Sequence, residues 1–325
     1  MSERLKNINK IDPIDAVLKT LQIKSTCYGR FEFTNPWGLE IENHSDHAGF
    51  FAVMRGSCWL EIKSLPNPIA LSGGDLAVFP HGSGHVIRDQ LGSSAITLDV
   101  LLKKNGHDAP VFHHGGGGAL TMLICGCFAF EMHRTNPLLS ALPEVIYVKG
   151  EDGRAVPWLE TTLQFLAGEI GSQMPGSEAV VTNLTQILFI QAVRAHINSN
   201  ESCNKKGLAL ALIDQQIGLA LALMHQMPQE SWTVESLAIQ VGMSRAGFAA
   251  RFRELVGEPP MQYLTRWRMH KAASLIQSGA KTISEISTQV GYEADAAFSK
   301  AFKRTTGFSP GEFRQNVSKF QREKA

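Results

Sequence analysis

The sequence predicts an α+β protein of two domains. The N-terminal domain is a β barrel with flanking helices, and the C-terminal domain is all-α with two helix-turn-helix motifs. A glycine-centred pattern that occurs twice, 49 residues apart, at Val241-Gly242 and Val290-Gly291, indicates the second domain. Short apolar runs within residues 25–130, separated by turns rich in Gly, Pro and Asn, indicate the first. A chain of 325 residues is long enough for both.

The apolar runs of the N-terminal part have the length of strands in an antiparallel sandwich or barrel. They lie at residues 59–62, 76–79, 96–100 and 123–124. Further along, His113 and His114 precede four glycines at 115–118. We interpret this stretch as a flexible loop that the fold does not constrain. It lacks the Lys-Ser/Thr ending of a phosphate-binding loop.

Residues 156–198 show helical periodicity, with apolar side chains at 159, 163, 166 and 170 and again at 181, 184 and 188. Amphipathic helices of this kind can bury their stripes on the barrel or on a second subunit, and both alternatives stay open. Residues 199–207 are polar and without apolar periodicity, which is typical of a linker. The predicted domains are therefore 1–198 and 208–325, joined by residues 199–207.

The duplicated pattern has the features that a helix-turn-helix needs. Gly242 and Gly291 are expected at positive φ in the two tight turns. Each is followed by two phenylalanines four residues apart, at 248 and 252 and at 298 and 302, which predicts one buried helix face in each copy. The motifs are predicted at about 233–256 and 283–305, with a connecting helix over 261–276.

Helix-capping signals mark where these helices begin. Ser244 is expected to cap the second helix of the first motif. Thr282 with Glu285, and Ser309 with Glu312, have the spacing of capping boxes. The outward faces are basic and include Arg245, Arg251 and Arg253 in the first copy and Lys300, Lys303 and Arg304 in the second.

Charge and composition agree with a protein that binds DNA specifically. Residues 207–325 contain 14 Lys and Arg against 10 Asp and Glu, a difference of +4, whereas the whole chain is at +1. A modest excess of this size suits a specific binder better than a nonspecific coating protein. No window approaches eighteen apolar residues and no apolar signal segment follows the N-terminus, so we expect a cytoplasmic protein with no membrane partner. The five cysteines are then expected to be reduced thiols.

Residues 212–314 resemble the DNA-binding domain of the AraC/XylS family of bacterial transcriptional regulators. The resemblance rests on matching segments in both copies, namely 232–238, 242–245, 291–292, 298–303, 307–310 and 313–314. It implies that the partner is double-stranded promoter DNA, with RNA polymerase as a second partner. Activation is commoner than repression among such relatives.

The resemblance also implies which side chains meet DNA. Three alanines in the first motif depart from the long polar residues of many relatives, and alanine can only touch a thymine methyl group. Much of the affinity is therefore expected from phosphate contacts by the basic side chains. For Arg251 and Arg304, a solvated position or an intrahelical ion pair is an equal alternative. The expected contact residues are Ser244, Arg245, Ala246, Ala249, Ala250 and Arg253 in the first motif and Asp295, Ala296, Ser299, Lys300, Lys303 and Arg304 in the second.

The N-terminal domain resembles the cupin-type sensor found in one AraC subfamily. Residues 74–85 fit the second cupin motif, and segments 36–39, 56–60, 125–126 and 137–143 add support. This implies that a small-molecule effector or an oxidant acts on the barrel, and that the flanking helices serve to form a homodimer.

The histidines of the barrel are effector candidates. His85 is expected to line the cavity and to pair with His44 or His47. Gly49 stands where the first cupin motif would have a glutamate, and His44 and His47 lack the usual spacing, so no metal is expected. No cofactor and no catalytic residues are predicted, since no second carboxylate or base is evident. The alternative is a cupin enzyme with an accessory DNA-binding domain.

Cys27 and Cys125 match cysteines of relatives that sense oxidants such as reactive chlorine. If the fold brings them together, oxidation could lock one arrangement of the barrel. We expect Cys125 and Cys127 not to face the same partner. The alternative is that these cysteines are small buried apolar residues.

Overall fold

A computed structural model describes residues 23–44, 47–107, 109, 111–130, 139, 142–150, 159–172, 174–198 and 208–322. They belong to two compact units, one comprising residues 23–130 and 142–199 and the other including residues 200–325. The predicted linker, 199–207, lies outside the described residues. None of the helices described is both long enough and apolar enough to span a lipid bilayer.

The first unit contains two β-sheets. The strands are β1 (Ile23–Thr34), β2 (Gly38–Ile41), β3 (His47–Arg55), β4 (Ser57–Ile62), β5 (Ile69–Ser72), β6 (Leu76–Phe79), β7 (His85–Arg88), β8 (Ile96–Thr97), β9 (Val111–Gly115), β10 (Leu120–Phe130) and β11 (Ile146–Val148). One sheet has the order β11-β6-β3-β10-β1-β9 and the other β5-β4-β7-β2-β8. The β1–β9 and β2–β8 pairs are parallel and the other pairs are antiparallel.

Both sheets supply side chains to one apolar core. Along β4, Cys58, Leu60 and Ile62 are buried in alternation with more exposed neighbours, as expected for a strand with one face inward. Phe33 and Trp37 are buried in the same cluster, with ring centroids 4.9 Å apart. The predicted sandwich or barrel is therefore confirmed as the architecture of this unit, and so are the strands at 59–62, 76–79 and 123–124.

The predicted strand at residues 96–100 is wrong beyond Thr97. Helix α1 (Leu98–Asn105) begins there, with Thr97 in the extended conformation at its N-cap position. Leu101 is fully buried, and Leu98 and Leu102 pack against the same core. Spacings of three and four residues place these leucines on one helical face, and this packing outweighs the local preference for a strand.

The interpretation of the His113-His114 stretch as an unconstrained loop is also wrong. Both residues lie in β9, and the side-chain amide of Asn105 hydrogen-bonds the backbone of His113 at both its N–H and its carbonyl. At the end of the strand, Gly115 has φ of 126°, and a Cβ there would overlap the carbonyl of Thr34. Only glycine therefore fits at position 115, where β9 ends beside the end of β1.

Two helices cover one sheet of this unit, α2 (Leu159–Ser172) and α3 (Ser177–Asn198). The predicted stripes are largely buried, including Leu163 of α2 and Leu188 of α3. The ring of Phe189 packs edge-on against Phe128 of β10 at 5.2 Å between centroids. Burial on the barrel therefore accounts for the inner stripe of α3.

In the second unit, the regular structure of residues 208–322 is helical throughout. Its helices are α4 (Leu208–Ile213), α5 (Gln215–Gln226), α6 (Val234–Gln240), α7 (Arg245–Val256), α8 (Pro260–Gln277), α9 (Ile283–Gln289), α10 (Asp295–Thr306) and α11 (Pro310–Arg322). The pairs α6–α7 and α9–α10 are the two predicted helix-turn-helix motifs, and α8 is the predicted connecting helix. All four phenylalanines of the duplicated pattern are fully buried, as expected: Phe248, Phe252, Phe298 and Phe302.

Candidate DNA interface and sensor residues

Two local features define the turn of the first helix-turn-helix motif, a left-handed glycine and a helix cap. Gly242 has φ of 69°, the left-handed conformation that glycine adopts without penalty. The hydroxyl of Ser244 then accepts a hydrogen bond from the amide of Gly247 at 3.2 Å, which confirms the predicted cap of α7. Upstream, Thr233 and Ser236 form a capping box on α6 that the sequence pattern missed, since serine replaces the usual Glu or Gln.

The second motif repeats this plan with one difference. Thr282 and Glu285 form the predicted capping box, and their hydrogen bonds lower the pKa of the Glu285 carboxyl. Gly291 has φ of 84°. The N-cap of α10, however, is Ala294, which offers no side-chain hydrogen bond. The second recognition helix therefore begins without the side-chain cap that the first one has.

The structure places the predicted contact residues on the outer surface of α7 and α10. Ala249 and Ser299 are partly buried, whereas the other predicted contact residues are exposed. The opposite face of each helix is closed by the buried phenylalanines. The exposed members of the predicted set are Ser244, Arg245, Ala246, Ala250, Arg253, Asp295, Ala296, Lys300, Lys303 and Arg304.

Arg251 has partners within the protein. Its guanidinium donates to Asp214 at 3.1 Å and to Glu254 at 3.3 Å. The hydrogen bond to the Asp214 carboxylate is the main reason that the pKa of Arg251 is raised. The alternative of an intrahelical ion pair for Arg251 is therefore observed, and Asp214 of another element adds a second partner.

A buried aromatic cluster supports the first motif from within. His225 of α5 lies 2.8 Å from the hydroxyl of Tyr263 through Nε2, and its ring packs on Trp267 with centroids 3.9 Å apart. Burial lowers the pKa of His225 to about 3 and that of the neighbouring His270 to about 4. Sequence reasoning missed this cluster, because nothing local in the chain distinguishes a core histidine from an exposed one.

In the barrel, His85 is buried, and it does not make the expected pairing. Its Nδ1 lies 2.6 Å from the carbonyl oxygen of Ser83, and its ring stacks on Phe79 at 3.9 Å. His44 is exposed and His47 is partly buried. Burial lowers the pKa of His85 to about 4, so the ring is neutral near pH 7. Among the described residues, Nε2 of His85 has no hydrogen-bond partner.

The described barrel residues do not fit the metal that many cupins hold. Within the described ranges, no three His, Cys, Asp or Glu side chains cluster as ligands. Gly49 on β3 offers no ligand atom, and one ring nitrogen of His85 already faces the Ser83 carbonyl. A single free imidazole nitrogen is too few donors for a stable site.

The three cysteines whose side chains the structure describes divide into two groups. Cys58 and Cys125 are buried free thiols in the barrel core. Burial raises the pKa of Cys58 to about 12 and that of Cys125 well above its usual value, which disfavours the reactive thiolate. Cys127, by contrast, is in a disulfide.

The register of β1 and β10 places Cys27 opposite Cys127 and Gly29 opposite Cys125. Cys125 and Cys127 are two residues apart on one strand and therefore share a face. They do not share a partner, as expected, because Cys127 is in a disulfide whereas Cys125 is a free thiol. The side chain of Cys27 lies outside the described residues.

Comparison with known proteins agrees with this architecture. The family model described as Cupin matches residues 12–198, and that described as Helix-turn-helix domain matches residues 237–316. An AraC-like transcription regulator of Streptomyces lividans is 30% identical over 308 residues, covering 94% of this chain and 99% of the relative. The HTH-type transcriptional regulator AlkR of Acinetobacter baylyi is 33% identical, covering 81% of this chain and 86% of the relative.

A third relative is the RCS-specific HTH-type transcriptional activator RclR of Escherichia coli. It is 33% identical over 198 residues, which cover 61% of this chain and 69% of the relative. A cupin domain followed by a double helix-turn-helix domain defines a DNA-binding transcription regulator. The chain belongs to the AraC family of transcriptional regulators, in the group with an N-terminal cupin domain.

Proposed function

We propose that this protein is a one-component transcriptional activator. Residues 1–198 sense an effector, residues 199–207 link, and residues 208–325 bind promoter DNA through α7 and α10. The observation that supports this best is the pairing of two exposed recognition faces, each backed by buried phenylalanines. Two such helices on one domain can address adjacent major-groove segments on one side of the duplex, about 34 Å apart.

Within this interface, Arg245, Arg253, Lys300, Lys303 and Arg304 are proposed to contact phosphates. The contacts to bases are proposed for the N-terminal turns of both helices, where short side chains permit close approach. The first motif offers Ser244, Ala246, Ala249 and Ala250 there, and the second offers Asp295, Ala296 and Ser299.

The DNA proposal is tested by selecting binding sites from a random pool with the full-length protein and footprinting the selected DNA. We expect a short protected site with two major-groove segments about one helical turn apart. Lys300→Ala should reduce affinity for all selected sequences and lower the salt slope by about one. Arg251→Ala is the matched control, because its guanidinium already has carboxylate partners. Protection without sequence preference would contradict the proposal.

Activation requires that the bound protein recruit or contact RNA polymerase. In transcription with purified polymerase, a template bearing the selected site upstream of a weak promoter should yield more transcript when the protein is added. A fall in transcript would assign repression instead. The named relatives are regulators, and we propose that this chain too acts by binding rather than by catalysis.

Two features support an effector acting on the barrel. Nε2 of His85 and Nε1 of Trp37 are buried polar atoms with no hydrogen-bond partner among the described residues. A buried polar atom without a partner is costly, and a small polar ligand would remove that cost. Cys127 supports the thiol alternative, because its disulfide lies on the strand that also holds Cys125. Either event would shift the populations of the sensor states and so the DNA affinity.

The two alternatives are separated by matched variants in a reporter strain. Cys27→Ser and Cys125→Ser should abolish the response to an oxidant such as hypochlorite if thiols sense it, whereas His85→Leu should not. A full oxidant response in both serine variants and in Cys127→Ser, which removes the disulfide, would remove the thiol alternative. A small-molecule effector is then tested by whether His85→Leu abolishes the response while binding to the selected DNA is retained.

A homodimer is proposed through the outer faces of α2 and α3. Their inner stripes are buried within the unit, yet Phe165, Val180 and Ile187 remain exposed on the outside, Phe165 at 64%. Phe165→Ser should shift the molar mass measured by light scattering from dimer to monomer. A wild-type protein that is monomeric at micromolar concentration would contradict this proposal.

A further inference from the structure

Within the C-terminal unit, α8 joins two helix-turn-helix halves. Here the half with α5, α6 and α7 is called the first unit, and the half with α9, α10 and α11 is called the second unit. Arg268 lies near the middle of α8. Helix α8 packs against α5 and α7 of the first unit and against α9, α10 and α11 of the second. A single connecting helix leaves the two units free to pivot unless side chains tie them together. Arg268 is in a position to make such a tie.

On the side of the first unit, the guanidinium of Arg268 donates two hydrogen bonds to backbone carbonyls. Nε donates to Pro228 at 2.7 Å and Nη2 to Glu230 at 2.8 Å. Both carbonyls belong to the loop between α5 and α6, where the indole N–H of Trp232 also donates to the carbonyl of Met227 at 2.9 Å. The planar guanidinium therefore hydrogen-bonds at two points to a loop that the Trp232–Met227 hydrogen bond already orders.

On the side of the second unit, the same guanidinium meets the turn of the α9–α10 motif. Its central carbon lies 5.8 Å from the ring centre of Tyr292, within the range of a cation–π contact. A Cβ added to Gly291 would lie 2.8 Å from Nη2 of Arg268 and 2.9 Å from the carbonyl oxygens of Pro228 and Gln229. The second turn thus touches the loop of the first unit directly.

The equivalent glycine of the first motif shows that this approach is not a general property of the turn. Gly242 also has positive φ, yet a Cβ there would meet nothing within 4 Å. Gly242 is thus required for its backbone conformation alone. Gly291 is required for its conformation and for the close contact between the two units.

We propose that Arg268, seated between the 228–230 loop and the Gly291-Tyr292 turn, is a positioning residue that sets the distance and rotation between the two recognition helices. This rests on the proposed binding of DNA through α7 and α10, and it adds the element that makes the pair selective for one operator spacing. Arg268 is not assigned a contact with DNA.

The consequence is a steep dependence on the spacing of the two half-sites. Each inserted base pair displaces the second groove by about 3.4 Å and rotates it by about 34°. If Arg268 fixes α7 relative to α10, the two helices cannot both reach their grooves after the insertion. If they pivot, they can compensate for part of the displacement. The variant without the clamp should therefore lose discrimination between spacings more than it loses affinity.

The test uses DNA selected by the full-length wild-type protein, and spacer variants of it with one or two base pairs added or removed. Wild-type affinity should fall at least about tenfold when the spacing changes by two base pairs, the size of effect that one or two lost base contacts produce. For Arg268→Ala the fall should be less than about threefold. Arg268→Lys should resemble alanine, because one ammonium group cannot reproduce the planar two-point contact.

The controls lie on the same structural elements. Arg266→Ala also removes a positive charge from α8. Arg266 forms an ion pair with Glu258, within the first unit, so this variant should keep the wild-type spacing preference. Gly242→Ala and Gly291→Ala share the cost of positive φ, but only the latter should flatten the spacing preference. Circular dichroism at the assay temperature establishes that each variant is folded, and Arg268→Lys replaces Arg268→Ala in the comparison if alanine unfolds the domain.

A folded Arg268 variant with the full wild-type spacing penalty would overturn the clamp while leaving DNA binding intact. If the wild-type protein selects no defined sequence, the proposed function fails instead, so the two failures are distinguishable. If Gly242→Ala flattens the preference as much as Gly291→Ala, the close approach at Gly291 is not the cause and the proposal is likewise overturned.

Discussion

The carboxylate of Asp214 joins the start of α5 to the first recognition helix. Oδ1 accepts hydrogen bonds from the backbone amides of Gln216 at 3.1 Å and Ile217 at 2.9 Å, and Oδ2 accepts one from Arg251 at 3.1 Å. One side chain thus caps α5 and orients a guanidinium on α7. Replacing Asp214 lowers the stability of α5. It also removes one of the two carboxylate partners of the Arg251 guanidinium.

Asp214→Ala is expected to lower the free energy of unfolding of the C-terminal unit by about 1 kcal/mol through loss of the N-cap. Asp214→Asn keeps a capping oxygen and should retain most of that stability, although it weakens the contact with Arg251. Urea unfolding followed by circular dichroism measures both. Equal losses in the two variants would show that the charge, not the cap, is what matters.

Ala294→Ser is expected to raise the free energy of unfolding of the C-terminal unit by about 0.5–1 kcal/mol. Ala294 already has the extended conformation of an N-cap, with φ of −112° and ψ of 120°, but no hydroxyl to accept from α10. Ser244→Ala in the first motif is the reciprocal change and should destabilise by a similar amount. The measurement is again the unfolding midpoint, and no gain for Ala294→Ser would mean that the α10 amides have other partners.

The buried histidines predict that the C-terminal unit is labile to acid. The pKa of His225 is about 3 when folded and near 6.5 when unfolded, so the unfolded state binds the extra proton between these values. Stability due to this residue is therefore present above pH 6.5 and falls by about 1.4 kcal/mol per pH unit below it.

His225→Gln removes the titration while an amide can still hydrogen-bond Tyr263. Unfolding measured by urea at several pH values between about 6 and 4 should give a slope that is shallower in the variant by about 1.4 kcal/mol per pH unit. His270 is unchanged in the variant and continues to titrate in the same direction. Parallel curves for the wild type and the variant would refute the assignment.

Gly115 and Gly117 form a matched pair for the barrel. Both have positive φ, but a Cβ at Gly115 would overlap the Thr34 carbonyl, whereas one at Gly117 meets nothing within 4 Å. Gly117→Ala should cost about 1 kcal/mol for the backbone conformation. Gly115→Ala should cost about 3 kcal/mol or more, since β9 must also separate from β1. Thermal unfolding of both variants checks this. Similar midpoints would show that the backbone at Gly115 is not constrained by Thr34, as in a flexible loop.

Local patterns predicted much of the C-terminal unit. The caps at Ser244 and Thr282, the positive φ of Gly242 and Gly291 and the buried phenylalanines depend on residues within a few positions of one another. Such features are determined by short-range sterics and helix periodicity, which a sequence displays directly. The exposure of the predicted contact residues follows from the same periodicity.

The barrel was less predictable because its strands pair over long separations. The apolar run at 96–100 suits either a strand or a helix, and the packing of Leu101 against the core decided for the helix. His113 and His114 form a strand only because β1 lies beside them. A short apolar or polar run has no preference strong enough to resist its tertiary neighbours.

By itself, the sequence determined that two helix-turn-helix motifs lie in the C-terminal part, where their helices begin, and which faces are apolar. Only the tertiary structure decided that Arg268 meets Gly291, that His225 reaches Tyr263, and that Cys125 is a buried thiol of the barrel core. The physical reason is sequence separation. Capping and periodicity act between near neighbours, whereas these contacts form between residues far apart in the chain and exist only once the whole unit has packed.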